Sequence, residues 1–142
     1  MTKTRRLLSD LPEPIPFPGS VAIEPLTAAD SMELAHRIVD IASEHKAADI
    51  VLLRTAELTS LADYFVICSG RSDRQVGALA GAIADDIRAA GVRPLGVEGR
   101  ASSRWVLIDY GTVIVHVFTP DERTFYGLEK LWSEAIQVVR MV

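Results

Sequence analysis

The sequence has little of what several common kinds of site require. Its single cysteine, Cys68, excludes a disulfide within the chain and cannot by itself form a thiolate zinc site. Its longest apolar runs are far shorter than the roughly 18 residues that a membrane-spanning helix needs. Its N-terminus shows no apolar stretch followed by a small-residue cleavage site. We therefore expect a soluble, cytoplasmic protein that has no membrane partner.

A basic excess and a carboxylate cluster are also missing. The 15 lysines and arginines face 19 aspartates and glutamates, which gives a net charge of −4. Broad binding to nucleic-acid phosphates needs a basic surface, whereas an acidic chain is compatible with a basic protein partner. Metal-assisted phosphoryl transfer needs closely placed carboxylates, but Asp63, Asp73, Glu98 and Asp109 are scattered singly. We expect no direct nucleic-acid readout, no metal, no cofactor and no enzyme activity.

The prolines divide the chain into two parts. Residues 1–26 hold five of the seven prolines, and Pro12, Pro14, Pro16 and Pro18 alternate along the chain. Alternating prolines favour an extended polyproline II conformation and block both helices and central strands. We predict a flexible arm over residues 1–26 and one folded domain over residues 27–142. The hydrophobic content of 49 % is sufficient for one sizeable core.

Helical and strand patterns alternate along the predicted domain. Thr27 and Ser72 each begin a capping signal that precedes apolar residues at helical spacing. The predicted elements are a helix from Thr27 to about His45, strands Ile50–Thr55 and Tyr64–Ser69, a helix from Ser72 to Gly91, an edge strand Val92–Val97, strands Trp105–Asp109 and Thr112–Phe118, and a final helix. This order, α-β-β-α-β-β-β-α, indicates an α/β fold with a mixed β-sheet and helices packed on it.

The residues from Trp105 to Trp132 are predicted to form one hairpin-helix unit. Tyr110–Gly111 can supply the positive φ that the hairpin turn needs. Thr119, Pro120 and Glu122 match a capping box with a proline at the first helical position. The apolar residues at helical spacing, which we expect to lie on the sheet, are Phe125, Leu128, Leu131 and Trp132.

The hairpin also carries the candidate binding residues. Trp105 shares a strand face with Asp109, and a carboxylate there suggests that this face is not wholly dry. An aromatic, partly polar sheet face is typical of a protein-binding surface. For Trp105 and Tyr110, binding and core positions are equally consistent with the pattern. His116 fits a hydrogen-bonded core residue better than a binding residue.

The turn Gly70–Asp73 is the candidate site for an alternative function. It joins a strand to a helix N-terminus, whose free backbone N–H groups can hold a phosphate. Neither nucleotide fingerprint, G-x-x-x-x-G-K-[ST] or G-x-G-x-x-G, is present. A simple capped helix start is the commoner explanation. Nucleotide binding or a nucleotidyltransferase-like activity, with Arg71 or Arg74 on the phosphate, is the alternative.

Six segments, taken in order, resemble the ribosomal silencing factor family, RsfS, also called the Iojap or YbeB family. They are Lys46–Ile50, Ala62–Arg74, Gly96–Gly99, Trp105–Gly111, Val115–Phe118 and Tyr126–Trp132. The resemblance implies a nucleotidyltransferase-like fold without the catalytic carboxylates. It also implies binding to a protein of the large ribosomal subunit, number fourteen in the large-subunit series. Bound there, such a protein sterically blocks the joining of the two subunits and represses translation under nutrient limitation.

The resemblance further implies which residues meet the partner. The family's partner surface includes the strand that begins at a tryptophan, and its His and Tyr-x-Leu-Glu positions lie further along the chain. The corresponding residues are Trp105, Asp109, Tyr110, His116, Tyr126 and Glu129. Exposed edge strands and the resemblance together also suggest a homodimer.

Overall fold

The computed structural model describes residues 28–99 and 104–142, so the arm predicted over residues 1–26 lies outside the described part. The described residues form one six-stranded sheet with helices on both faces. The elements are α1 (Ala28–Glu44), β1 (Ala48–Arg54), β2 (Tyr64–Ser69), α2 (Asp73–Ala89), β3 (Gly96–Glu98), β4 (Trp105–Asp109), β5 (Val113–Phe118), α3 (Pro120–Tyr126), α4 (Leu128–Leu131) and β6 (Ile136–Met141).

The sheet is mixed, as the sequence predicts. Its strand order is β3-β4-β5-β2-β1-β6. Strands β2 and β5 run parallel, and the other neighbouring pairs are antiparallel. The predicted hairpin of β4 and β5 forms. The predicted edge strand Val92–Val97 is correct in its edge position but wrong in its bounds, because β3 covers only Gly96–Glu98 and begins after Pro94. The mixed α/β fold class is therefore confirmed.

Helices α1 and α2 pack side by side on one face, which we call the helix-covered face. Their apolar residues at helical spacing, such as Ile38 of α1 and Ile83 of α2, are fully buried there. The predicted cap of α2 is also present, because the Ser72 hydroxyl accepts a hydrogen bond from the Gln75 backbone N–H at 3.2 Å. Periodicity thus identifies both long helices, and the cap predicted for α1 at Thr27 lies outside the described residues.

The opposite side of the sheet, the second face, is covered by the chain that follows β5. Leu128 and Trp132 pack there against a cluster that includes Phe65 and Phe118. Strands β2 and β5 are buried on both faces, which explains why they read as continuous apolar runs.

The prediction for the C-terminal helix is wrong in part. Gly127 adopts a left-handed conformation with φ 58° and divides the predicted helix into α3 and α4. The break changes which residues face the sheet, so Phe125 is 79 % exposed and Leu131 is 70 % exposed. Leu128 and Trp132 do lie on the sheet as expected.

Two further expectations for this end of the chain fail. Thr119 precedes α3 as predicted, but within the described residues its hydroxyl oxygen has no hydrogen-bond partner, so the capping box does not form. The predicted element order ends with a helix, whereas the chain returns to the sheet as β6 and pairs with β1. An edge strand whose residues are mostly exposed lacks the buried pattern by which strands are recognised.

Candidate functional site

An aromatic cluster lies on the second face where β4 meets α3. It consists of Trp105, His116, Phe118 and Tyr126. The Trp105 and Tyr126 ring centroids are 4.5 Å apart, and the Trp105 ring stacks on Phe118 at 5.0 Å. Trp105 is partly exposed and Tyr126 is 46 % exposed, whereas His116 and Phe118 are buried. The cluster therefore runs from the core to the surface.

The buried His116 side chain fixes the orientation of the Trp105 ring through a hydrogen bond. The Trp105 indole Nε1–H donates a hydrogen bond to His116 Nδ1 at 3.2 Å. Burial lowers the pKa of His116 from 6.5 to about 3, so the ring is neutral at physiological pH. A neutral ring that accepts at Nδ1 carries its proton on Nε2. His116 is thus a core residue, as the sequence favours, and it orients a residue at the surface.

Asp109 and Tyr110 offer little surface to a partner. Asp109 is 1 % exposed, and its Oδ1 accepts a hydrogen bond from the Gly111 backbone N–H at 2.7 Å, which shapes the hairpin turn. Tyr110 is buried on the helix-covered face, because alternate residues of a strand point to opposite sides. Burial raises the pKa of its hydroxyl to about 12. The structure therefore separates Tyr110 from Trp105, although the two are close in sequence.

Glu129 contributes to contacts within the domain. Its Oε1 accepts from Arg123 Nε at 2.6 Å, and its Oε2 lies 3.7 Å from Arg140 Nη1. The carboxylate thereby links α3, α4 and β6.

Arg123 is the residue that sequence reasoning missed. Its Nη1 donates to the Asp49 carbonyl oxygen at 2.6 Å and to Ser69 Oγ at 2.8 Å, while its Nε bonds Glu129. These two acceptors precede Arg123 by 74 and 54 residues. No local spacing rule can identify such a contact, because it depends on the folded sheet.

The Gly70–Asp73 turn is explained by packing and capping. A Cβ atom at Gly70 would lie 2.9 Å from the Val76 backbone nitrogen, so the close approach of α2 requires glycine there. Gln75 Oε1 accepts from the Arg71 backbone N–H at 2.6 Å, and Ser72 caps Gln75 in return. These contacts account for the pattern that suggested a phosphate site.

Comparison with known proteins places the chain in a family. The family model described as "Ribosomal silencing factor during starvation" matches residues 28–141. The chain belongs to this family. A ribosomal silencing factor RsfS of Bacillus subtilis is 47 % identical over 92 residues, which is 65 % of this chain and 78 % of that protein.

Two further proteins are similar to this chain. A solved structure of a protein from Chromobacterium violaceum is 36 % identical, with a TM-score of 0.67, and covers 82 % of this chain and 93 % of that one. A mouse protein named "Mitochondrial assembly of ribosomal large subunit protein 1" is 29 % identical over 99 residues, which is 68 % of this chain and 43 % of that protein.

Among residues 28–99 and 104–142, no group of three or more His, Cys, Asp or Glu side chains is placed to hold a metal ion. No helix in the same ranges is long and apolar enough to cross a membrane. Cys68 is buried in β2, and burial raises the pKa of its thiol to about 12. The thiol is therefore neutral and unreactive at physiological pH.

Proposed function

We propose that this protein acts in the cytoplasm as a silencing factor on the large ribosomal subunit. It binds a protein of that subunit, number fourteen in the large-subunit series, and sterically blocks joining to the small subunit. Translation is thereby repressed under nutrient limitation. The observation that carries this proposal is the family match over residues 28–141. The name of the mouse relative, which refers to the large ribosomal subunit, supports the choice of subunit.

The aromatic cluster supports the proposal by providing a surface for a protein partner. Trp105 and Tyr126 are both partly exposed and lie against each other at 4.5 Å. Tryptophan and tyrosine give large contact area at a small cost in conformational entropy, and they are frequent at the centres of interfaces. Steric blocking needs affinity and bulk and no chemical step. The packed rings of Trp105 on β4 and Tyr126 on α3 can supply that affinity.

The proposed site residues then take two roles. Trp105 and Tyr126 meet the partner. His116 and Glu129 act beneath them, one through the indole of Trp105 and the other through Arg123. Asp109 and Tyr110 fix the hairpin that presents the start of β4. The net charge of −4 favours encounter with a basic ribosomal protein.

Co-sedimentation with separated ribosomal subunits tests the proposal. Purified protein should pellet with the large subunit and not with the small one. Subunit joining, followed by sucrose-gradient profiles, should fall as the protein is added. Arg54→Gln is a matched control, because it changes an exposed charge that pairs with Glu57 outside the aromatic cluster. Binding to neither subunit, or to the small subunit alone, would contradict the proposal.

An alternative function and self-association are tested separately. Saturable nucleotide binding that Arg71→Ala abolishes would favour the alternative function at the Gly70–Asp73 turn.

Self-association of the free protein is also proposed, because β6 is an edge strand with exposed apolar residues. Light scattering at several protein concentrations measures the oligomeric state.

A further inference from the structure

Helix α3 carries Tyr126 to the surface but has little of its own to hold it in place. It is seven residues long, and all seven are at least partly exposed. A helix of this length is unstable in isolation and depends on tertiary contacts. The Thr119 hydroxyl, which could have capped it, has no hydrogen-bond partner among the described residues. Some other contact must fix the position of α3.

Arg123 supplies that contact. Its side chain is only 11 % exposed although it projects from an exposed helix. Nη1 donates to a carbonyl oxygen of β1 and a hydroxyl of β2, and Nε donates to a carboxylate of α4. A guanidinium presents five N–H donors on three nitrogens in a rigid planar fork, whereas a lysine ammonium carries its three donors on one nitrogen at the end of a flexible chain. One side chain therefore joins α3 to two strands and to the next helix.

The backbone of β1 is shaped to receive this arginine. Asp49 has a positive φ of 46°, which is uncommon for a residue other than glycine. It lies in the register shift between Ala48 and Val51, where the regular pairing of β1 with β2 is interrupted. The Asp49 carbonyl oxygen accepts from Arg123 at 2.6 Å. The irregularity in β1 thus has an evident consequence, which is an acceptor for Arg123.

The position of α3 decides how the aromatic surface is presented. Tyr126 lies three residues after Arg123, about one helical turn along the helix, and its ring packs on Trp105. Phe125 lies beside it, with ring centroids 5.2 Å apart. If α3 moved on the sheet, both rings would move relative to Trp105.

We propose that Arg123 is a positioning residue for partner binding, which it promotes by holding α3 so that the Tyr126 ring lies against Trp105 and Phe125 lies beside Tyr126. This inference rests on the proposed function for the identity of the partner. Arg123 itself does not meet the partner. Its effect on binding passes through Tyr126.

A double-mutant cycle on binding to purified large subunits tests this role. Arg123→Gln, with its fold verified by circular dichroism, should weaken binding about tenfold or more. Tyr126→Ala should weaken binding by a similar factor. The double variant should have the same affinity as whichever single variant binds less tightly, because both changes remove the same contribution to binding. Arg123→Lys should restore binding only in part. Arg54→Gln is the control, because Arg54 pairs with Glu57 and has no printed contact with α3, Glu129 or the aromatic cluster, and it should bind as the wild type does.

A spectroscopic readout addresses position without the ribosome. The indole N–H resonance of Trp105, assigned with Trp132→Phe, should shift in Arg123→Gln because the Tyr126 ring leaves its neighbourhood. An unchanged resonance in the folded variant would overturn the proposal, and so would strictly additive losses in the cycle. If wild-type protein binds and Arg123→Gln binds equally, only the positioning role fails. If wild-type protein does not bind the large subunit, the proposed function fails, and the partner role of Arg123 fails with it.

Discussion

The indole Nε1–H of Trp105 donates to Nδ1 of His116, 3.2 Å away on the neighbouring strand. This bond joins a partly exposed aromatic ring to a buried, neutral imidazole. It restricts the indole before any partner arrives, so less conformational entropy is lost on binding. The buried His116 therefore preorganises the Trp105 side chain of the candidate surface.

The stability of the domain should depend on pH through His116. In the unfolded chain His116 takes up a proton near its ordinary pKa of 6.5, whereas in the folded protein its pKa is about 3. Between these values the unfolded state binds more protons, so the free energy of unfolding falls as the pH falls. From pH 6.5 to pH 5 the loss attributable to His116 can reach about 2 kcal/mol.

Urea unfolding of wild-type protein and His116→Phe across this range measures the effect. The variant lacks the titrating group, so the difference in unfolding free energy between the two proteins should shrink as the pH is lowered. Phe125→Ser, which replaces an exposed ring that does not titrate, serves as the control and should leave the pH dependence as it is in the wild type. A difference that does not change with pH would contradict the expectation.

Replacing Trp105 should reduce binding to the large subunit. Trp105→Ala removes the ring that packs on Phe118 and Tyr126, and at the centre of an interface this costs about 2 kcal/mol or more in binding free energy. Trp105→Phe keeps an aromatic ring but loses the bond to His116, and it should give an intermediate loss. Dissociation constants from co-sedimentation test both, and wild-type affinity in folded Trp105→Ala would remove Trp105 from the interface.

Phe125 should matter little for folding. Its ring is 79 % exposed, so Phe125→Ser removes almost no buried apolar area. The free energy of unfolding should change by no more than about 0.5 kcal/mol. Thermal melting of Phe125→Ser and of Ile83→Ala measures the contrast. Ile83 is fully buried in the core, so Ile83→Ala should lower the free energy of unfolding by about 2–5 kcal/mol. A large loss in Phe125→Ser would mean that the ring packs in solution.

Two glycines of the α2 region form a matched pair. A Cβ at Gly70 would lie 2.9 Å from the Val76 backbone nitrogen, so Gly70→Ala should destabilise the domain by about 1–3 kcal/mol. At Gly81, inside α2, an added Cβ meets no described atom within 4 Å. Gly81→Ala should therefore raise the free energy of unfolding by about 0.5–1 kcal/mol, since alanine favours helix. Denaturant unfolding of both variants measures the two free-energy changes. A loss at Gly70 and a gain at Gly81 would show that steric overlap limits the first position and helix propensity the second.

Local pattern was sufficient for most of the sheet and both long helices. The runs that form β2 and β5 are apolar throughout because both faces are covered, and the Ser72 cap is visible in the sequence. Local pattern failed beyond β5. There the left-handed Gly127 interrupts a helical spacing that by itself looks continuous, and β6 gains its strand conformation by pairing with β1.

The candidate site divides in the same way. Its aromatic residues can be named from the sequence, because Trp105 and His116 are recognisable by type and strand position, and the family resemblance adds Tyr126. Which of them reach the surface was decided by the tertiary structure, since burial depends on what covers each face of the sheet.

By itself, the sequence determined the acidic α/β domain, its order up to the hairpin and its resemblance to the ribosomal silencing factors. Only the tertiary structure decided that Arg123 joins α3 to two strands and that Tyr110 is turned away from Trp105. The physical reason is the separation in sequence between the residues that interact. Caps, turns and amphipathic periods are satisfied within a few residues, whereas the acceptors of Arg123 come together only when segments 54 and 74 residues apart meet in the folded sheet.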